Sequence, residues 1–299
     1  MIRVRSRSAC ALAPFVVATM LAAGCASPKL VKTTPDAAAP KPNTARPKGV
    51  ASGTLAMTLE AQDERLSAVL LALAIAPRAE THRQAAIEYR RLGVMDKAHE
   101  HFSNAVRLEP SDAASYDALA RIWRDWGTAH LGLADAYRAV HYAPNSAAAA
   151  NTLGTLLQSI GNIEAAKLWY ARAITLDGDA WYALNNLCYA KVLTREDAVN
   201  TCQAAVAAAP GIKAKVPQNN LALAHLAAGD ATSAKQWFRR AGDPATASYN
   251  YGIAMMATRA YDEATLAFQE ALRADPFFTL AATRARQARL AARAEEPKP

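Results

Sequence analysis

Six histidines and four cysteines are the residues in this 299-residue chain best suited to metal or nucleophilic chemistry. The spacing of the histidines argues against a metal centre. His99 and His101 stand two apart, so on a helix their rings diverge and form no metal pair. His82 and His225 fall at inward positions, and His130 and His141 have no acid at a useful spacing. No phosphate-cradling glycine loop, dinucleotide fingerprint or Gly-x-Ser-x-Gly elbow is present. The expectation is a protein without enzymatic activity, metal or cofactor. Cys188 and Cys202 lie seven residues to either side of Arg195. A hairpin turning there brings them opposite each other, as a disulfide or as two buried thiols.

Asparagine offers a different chemistry. Asn151, Asn185 and Asn219 recur every 34 residues, accompanied by Asn186, Asn220 and Asn250. An amide has one acceptor oxygen and two donor hydrogens, so a file of them can hold the backbone of an extended peptide whatever its side chains. The same amides can instead bond within or between their own helices.

The elements that position these residues follow from composition and period. Hydrophobic residues make up 52% of the chain, aromatics only 7%, and alanine is abundant throughout. Alanine loses little side-chain entropy in a helix and lets neighbouring helices approach closely, so the chain reads as helical. From residue 79 the sequence repeats every 34 residues. The clearest unit places Ala86, Tyr89, Ala98, Phe102, Ala105 and Pro110 at positions 8, 11, 20, 24, 27 and 32. Comparable sets follow with Ala120 and Ala136, Gly154 and Tyr170, Cys188 and Cys202, Ala222 and Phe238, and Gly252 and Phe268. The fourth unit is read as having an inter-helix turn two residues short. Small residues at 8, 20 and 27 let paired helices touch, the large residue at 24 fills the space between them, and proline near 32 stops the second helix.

This pattern resembles the tetratricopeptide repeat. The resemblance implies an all-α fold, a right-handed solenoid of antiparallel helix pairs with a C-terminal capping helix. The expected boundaries are a degenerate helical unit over 55–78, six repeats over 79–276, a capping helix over 277–294 and a disordered tail over 295–299. In the cap, Leu280, Ala281, Ala288 and Leu290 are expected to cover the last repeat. In the family, first helices line the binding groove, and their groove-facing positions in this chain carry two sets of candidates. One is basic, Arg83, Arg90, Arg121 and Arg124, fit for an acidic segment or a carboxylate, or else an ordinary solvated face. The other, Tyr182, Tyr189, Leu223, Ile253 and Met256, is an apolar rim beside the asparagine file, or else packs between first helices. The file itself resembles the asparagine ladders of tetratricopeptide proteins that hold extended polypeptide.

The first residues carry an expectation about place. A basic stretch with Arg3, Arg5 and Arg7 leads into an apolar run that ends at Gly24-Cys25. The run is short for a membrane span and reads as a secretory signal. Leu-Ala-Ala-Gly-Cys resembles the lipobox of bacterial lipoproteins, which implies removal of 1–24, acylation of Cys25 and, with Ala26 next, the outer membrane. Residues 25–54, rich in proline and lysine without apolar periodicity, are expected to be a disordered tether reaching about 3 Å per residue. The formal charge of +8 falls to near +5 without the three leading arginines. No dense basic stripe with interleaved aromatics points to nucleic acid. The lipobox, the tether, and the runs LDGDAWYALNNLCYA and KVPQNNLALAHLAAGD resemble the assembly lipoprotein of tight-adherence (Flp-type) pili, and more distantly the pilotin of type IV pili. That implies periplasmic protein or peptide partners, secretin or pilus components among them. The alternative is a general envelope protein that organises cell-wall enzymes or outer-membrane assembly.

Overall fold

The computed structural model describes residues 63–295. The signal segment, Cys25, the tether, the start of the degenerate unit and the last residues of the tail lie outside them. Among the described residues the secondary structure is helical throughout, with no strand, and no helix is long and apolar enough to cross a membrane. The chain divides into two compact units, one running through Ala183 and one beginning at Leu184.

The first unit holds α1 (Glu64–Ile75), α2 (Ala79–Arg91), α3 (Met95–Leu108), α4 (Ala113–Asp125), α5 (Leu133–Tyr142), α6 (Ala147–Ser159), α7 (Ile163–Leu176) and the opening of α8 (Trp181–Leu193). The second holds the rest of α8, then α9 (Val199–Ala208), a 3-10 turn over Gly211–Ala214, α10 (Lys215–Ala227), α11 (Ala231–Ala241), α12 (Pro244–Ala257), α13 (Tyr261–Ala274) and α14 (Thr279–Glu295). The architecture is a tetratricopeptide-like solenoid in which α2/α3, α4/α5, α6/α7, α10/α11 and α12/α13 pack as antiparallel pairs.

Four of these pairs are built around one kind of contact, whereas in α4/α5 the matching residues, Ala120 and Ala136, are both small and buried. A Cβ on Gly154 would stand 2.6 Å from the Tyr170 ring, and one on Gly252 would stand 2.7 Å from the Phe268 ring. Ala86 shares a buried cluster with Phe102, and Ala222 with Phe238. These four aromatics are almost wholly buried, which removes a large apolar area from water. Cys188 and Cys202 occupy the same two positions and are joined as a disulfide. A covalent bond thus stands where those four pairs place a ring against a small residue. The turn between α8 and α9 is not short: residues 194–198 separate them, against 92–94 between α2 and α3. The closer spacing of the cysteines arises because Cys202 is the fourth residue of α9, where Phe102 is the eighth of α3.

Helix ends carry the expected chemistry. Asp112, Ser146, Asn162, Asp230 and Asp243 each accept a backbone N–H three residues on, satisfying a donor that the helix leaves open. The turn after the first helix is reversed by a left-handed residue: Gly93, Gly127, Gly161 and Gly229 have positive φ, and Arg195 and Arg259 take that conformation at the corresponding turns. A side chain there crowds its own backbone, at roughly 1–2 kcal/mol.

The cap packs differently from the expectation. Ala281, Ala285 and Ala288 are buried, while Leu280 and Leu290 are 50% and 58% exposed. Alanines at i, i+4 and i+7 form one stripe and permit close approach to α13, and the two leucines lie off it.

Two substitutions test these constraints in thermal melts. Gly252→Ala forces the Phe268 ring aside and is expected to lower stability by roughly 1–3 kcal/mol, with partial recovery when combined with Phe268→Leu. Arg195→Gly relieves the left-handed strain at an exposed turn and is expected to raise stability by about 1 kcal/mol.

Candidate partner-binding cleft

First helices α4 and α6 pack on each other directly. Beside them is a cleft of about 250 Å³, lined by Arg121 and Arg124 from α4, Asn151 and Thr152 from α6, and Tyr182 from the start of α8. The two arginines stand three apart and share a helical face. Asp117 Oδ2 holds Arg121 at 2.8 Å, and Arg121 Nε donates to Thr152 Oγ1 at 3.1 Å. Arg124 donates to Asp125 Oδ1 at 2.8 Å and to Thr155 Oγ1 at 3.2 Å. A guanidinium has five N–H donors, so both groups are aimed by these bonds and keep donors for a ligand. Burial, reinforced by the Asp177 carboxylate, pushes the Tyr182 phenol above its ordinary range, and Arg121 offsets part of this. The phenol is therefore an O–H donor at neutral pH. Asp117 Oδ1 is buried without a hydrogen-bond partner. The cleft thus presents mainly donors, an arrangement suited to a carboxylate or to the carbonyls of an extended chain.

The other basic candidates lie elsewhere. Arg83 on α2 pairs with Glu80 and, at 3.1 Å, with the buried cap Asp112 of α4. Arg90 lies over the Phe102 ring at 5.9 Å.

In the second unit the asparagines bond to one another. Asn220 Nδ2 donates to Asn185 Oδ1, and Asn250 Nδ2 donates to Asn219 Oδ1, each at 2.9 Å. Both times a position 5 amide accepts from position 6 of the next repeat, tying first helix to first helix. Asn185 is only 5% exposed, and Asn186 is half-buried and also engaged. One such bond leaves an amide further donor or acceptor capacity, which at Asn219, Asn220 and Asn250 is partly open to solvent.

The apolar rim is largely closed. Leu223 and Ile253 are 6% and 7% exposed and belong to the core, a correction to their reading as surface. Tyr189 and Met256 pack against the same clusters, part-buried. The Tyr189 hydroxyl is buried without a partner, and burial pushes it up to about 12. Alanine-rich first helices joined by amide pairs sit too close to leave these groups outside.

Two features escape the repeat pattern. Thr152 and Thr155 each follow their arginine by 31 residues, a spacing that joins successive first helices and is visible in the sequence once sought. His82 and His101 meet across α2 and α3, Nδ1 to Nδ1 at 3.0 Å, and His101 stacks on Tyr89. The two rings are not neighbours along one helix, and the hairpin brings them together from 19 residues apart. Among the described residues no group of three or more His, Cys, Asp or Glu is placed to hold a metal ion.

Comparison with known proteins supports the fold. Residues 147–179 match the tetratricopeptide repeat family model. No curated protein matches the chain. Among solved structures, the APC/C hetero-tetramer Cut9-Hcn1 is similar with a TM-score of 0.61 at 17% identity over 78% of this chain. This chain spans about half of that one, 48%. PilW, described as a widely conserved type IV pilus biogenesis factor, has a TM-score of 0.58 at 17% identity, covering 69% of this chain and 97% of its own. PilF of Pseudomonas aeruginosa has a TM-score of 0.54 at 15% identity, covering 71% and 96%. At these identities the likeness is one of fold.

Histidine protonation makes the first unit sensitive to acid. Burial lowers His82 and His99 below the ordinary 6.5, with Arg107 adding to the effect at His82. Their neutral forms therefore contribute stability that is present above about 6.5 and lost as the pH falls toward their folded-state values. Asp135, raised by burial, acts in the opposite direction. Melting temperature is expected to drop between pH 7.5 and 5.5, and the His82→Gln/His99→Gln variant is expected to show a shallower drop.

Proposed function

We propose that the protein is a non-enzymatic adaptor that holds an extended, acidic segment of a partner protein along its first helices. The observation that carries this reading is the cleft of Arg121, Arg124, Asn151 and Tyr182. Four donor-bearing groups from three successive first helices converge there, and bonds to neighbouring threonines and carboxylates pre-orient the guanidinium groups. Pre-orientation reduces the ordering cost of binding. The open amide capacity at Asn219, Asn220 and Asn250 gives sequence-independent contacts in the second unit.

The setting proposed is the periplasmic face of the outer membrane, reached through a lipid on Cys25. The lipobox resemblance supports it, and the lysine- and proline-rich stretch after Cys25 supplies a spacer. Resemblance to the assembly lipoprotein of Flp-type pili makes a pilus or secretin component the proposed partner.

Crosslinking in envelopes followed by identification of captured proteins tests the reading. A secretin or pilus component is expected, with at least ten-fold less capture by Arg121→Glu/Arg124→Glu, since each charge-assisted hydrogen bond lost weakens binding by about 1.5–3 kcal/mol. Capture of cell-wall enzymes alone would favour the general envelope role instead. A palmitate analogue is expected to label the protein and not its Cys25→Ser variant.

A further inference from the structure

A second cleft opens on a different side of α4. Tyr116, Leu119 and Trp123 follow one another at spacings of three and four and so form one helical face, well away from the face of Arg121 and Arg124. They floor a cleft of about 450 Å³ whose walls come from the second helices α3 and α5. Val106, Leu119 and Trp123 make its base apolar. Arg107 on α3 and Arg138 on α5 bring a guanidinium from each wall, and Ser103 adds a hydroxyl.

The internal partners of these groups leave room for a ligand. Arg107 donates one bond, to Asn104 Oδ1 at 3.2 Å. Arg138 approaches Asp135 Oδ1 at 3.5 Å and lies over the Tyr116 ring at 5.5 Å. Asp135, the carboxylate in the cleft, is met by the Trp123 indole as well as by Arg138. His99 stands edge-on to Trp123 at 4.9 Å and closes the end of the slot. Two cations from opposite walls above an aromatic base match a ligand with an anionic head and an apolar body.

We propose that this cleft is a second binding site, taking a peptide segment of a partner in which a carboxylate stands next to an aromatic or branched apolar side chain. The carboxylate lies between Arg107 and Arg138, with Ser103 donating, and the apolar side chain rests on Val106 and Trp123. The first unit would then hold two acidic segments at once on separate faces of α4, and a bivalent partner would gain avidity from both.

Titration of the full chain with the N-acetylated, C-terminally amidated peptide Gly-Gly-Asp-Phe-Asp-Leu, and with its Asn-for-Asp counterpart, tests this. The Trp123 indole N–H resonance, assigned through Trp123→Phe, is expected to shift with the acidic peptide and not with the neutral one. Arg107→Glu/Arg138→Glu is expected to abolish that shift and weaken binding at this cleft at least ten-fold. Ser103→Trp, which fills the cleft without changing charge, is expected to do the same and decides the matter if the charge-reversed chain melts early. Arg121→Glu/Arg124→Glu is expected to leave the Trp123 shift intact, so failure of the first-helix cleft is read separately. A Trp123 resonance that stays in place at saturating peptide, or a shift that survives both Arg107→Glu/Arg138→Glu and Ser103→Trp, overturns the proposal.

Discussion

A small residue facing a ring across the hairpin is the contact on which four of these helix pairs depend. Gly154 under Tyr170 and Gly252 under Phe268 leave no room for a methyl group, and the alanine pairs differ only in scale. Such a contact fixes the distance between paired helices and buries a ring whose removal would leave a cavity. The disulfide of Cys188 and Cys202 performs the same task by a bond. It closes a loop with a sequence separation of 14, and on the chain-entropy account such a loop contributes about 3 kcal/mol.

Once hairpins are fixed, the register of first helix on first helix follows, and polar side chains bridge what packing brings together. Arginine meets threonine 31 residues on in the first unit, and asparagine meets asparagine in the second. These bonds satisfy half-buried polar groups that would otherwise be costly. They also orient donors toward solvent, which makes a structural bond and a binding surface compatible in one side chain.

The charge pattern on α4 shows how one helix serves two environments. Asp117, Arg121 and Arg124 lie on one side, and Tyr116, Leu119 and Trp123 on another. The first set is ordered by ion pairs of modest worth in water. The second is ordered by burial and by the indole contact to Asp135. Neither set holds the other in place, so each cleft keeps its own chemistry.

Much of this was legible in the residues themselves. The 34-residue recurrence of small and aromatic positions dictates helical hairpins, because small residues let two helices touch and rings fill the space beside them. It also places Arg121, Arg124, Asn151 and Tyr182 on first helices. What the tertiary structure decided is which of the groove-facing groups remain available. Leu223 and Ile253 go to the core, Arg83 to the cap of α4, and Asn185 to Asn220. His82 finds His101, and α3, α4 and α5 enclose a cleft that no periodicity marks. A repeat pattern specifies the direction in which each side chain leaves its helix. How far the next helix stands, and what it offers on arrival, depends on the volumes of all the residues packed between them.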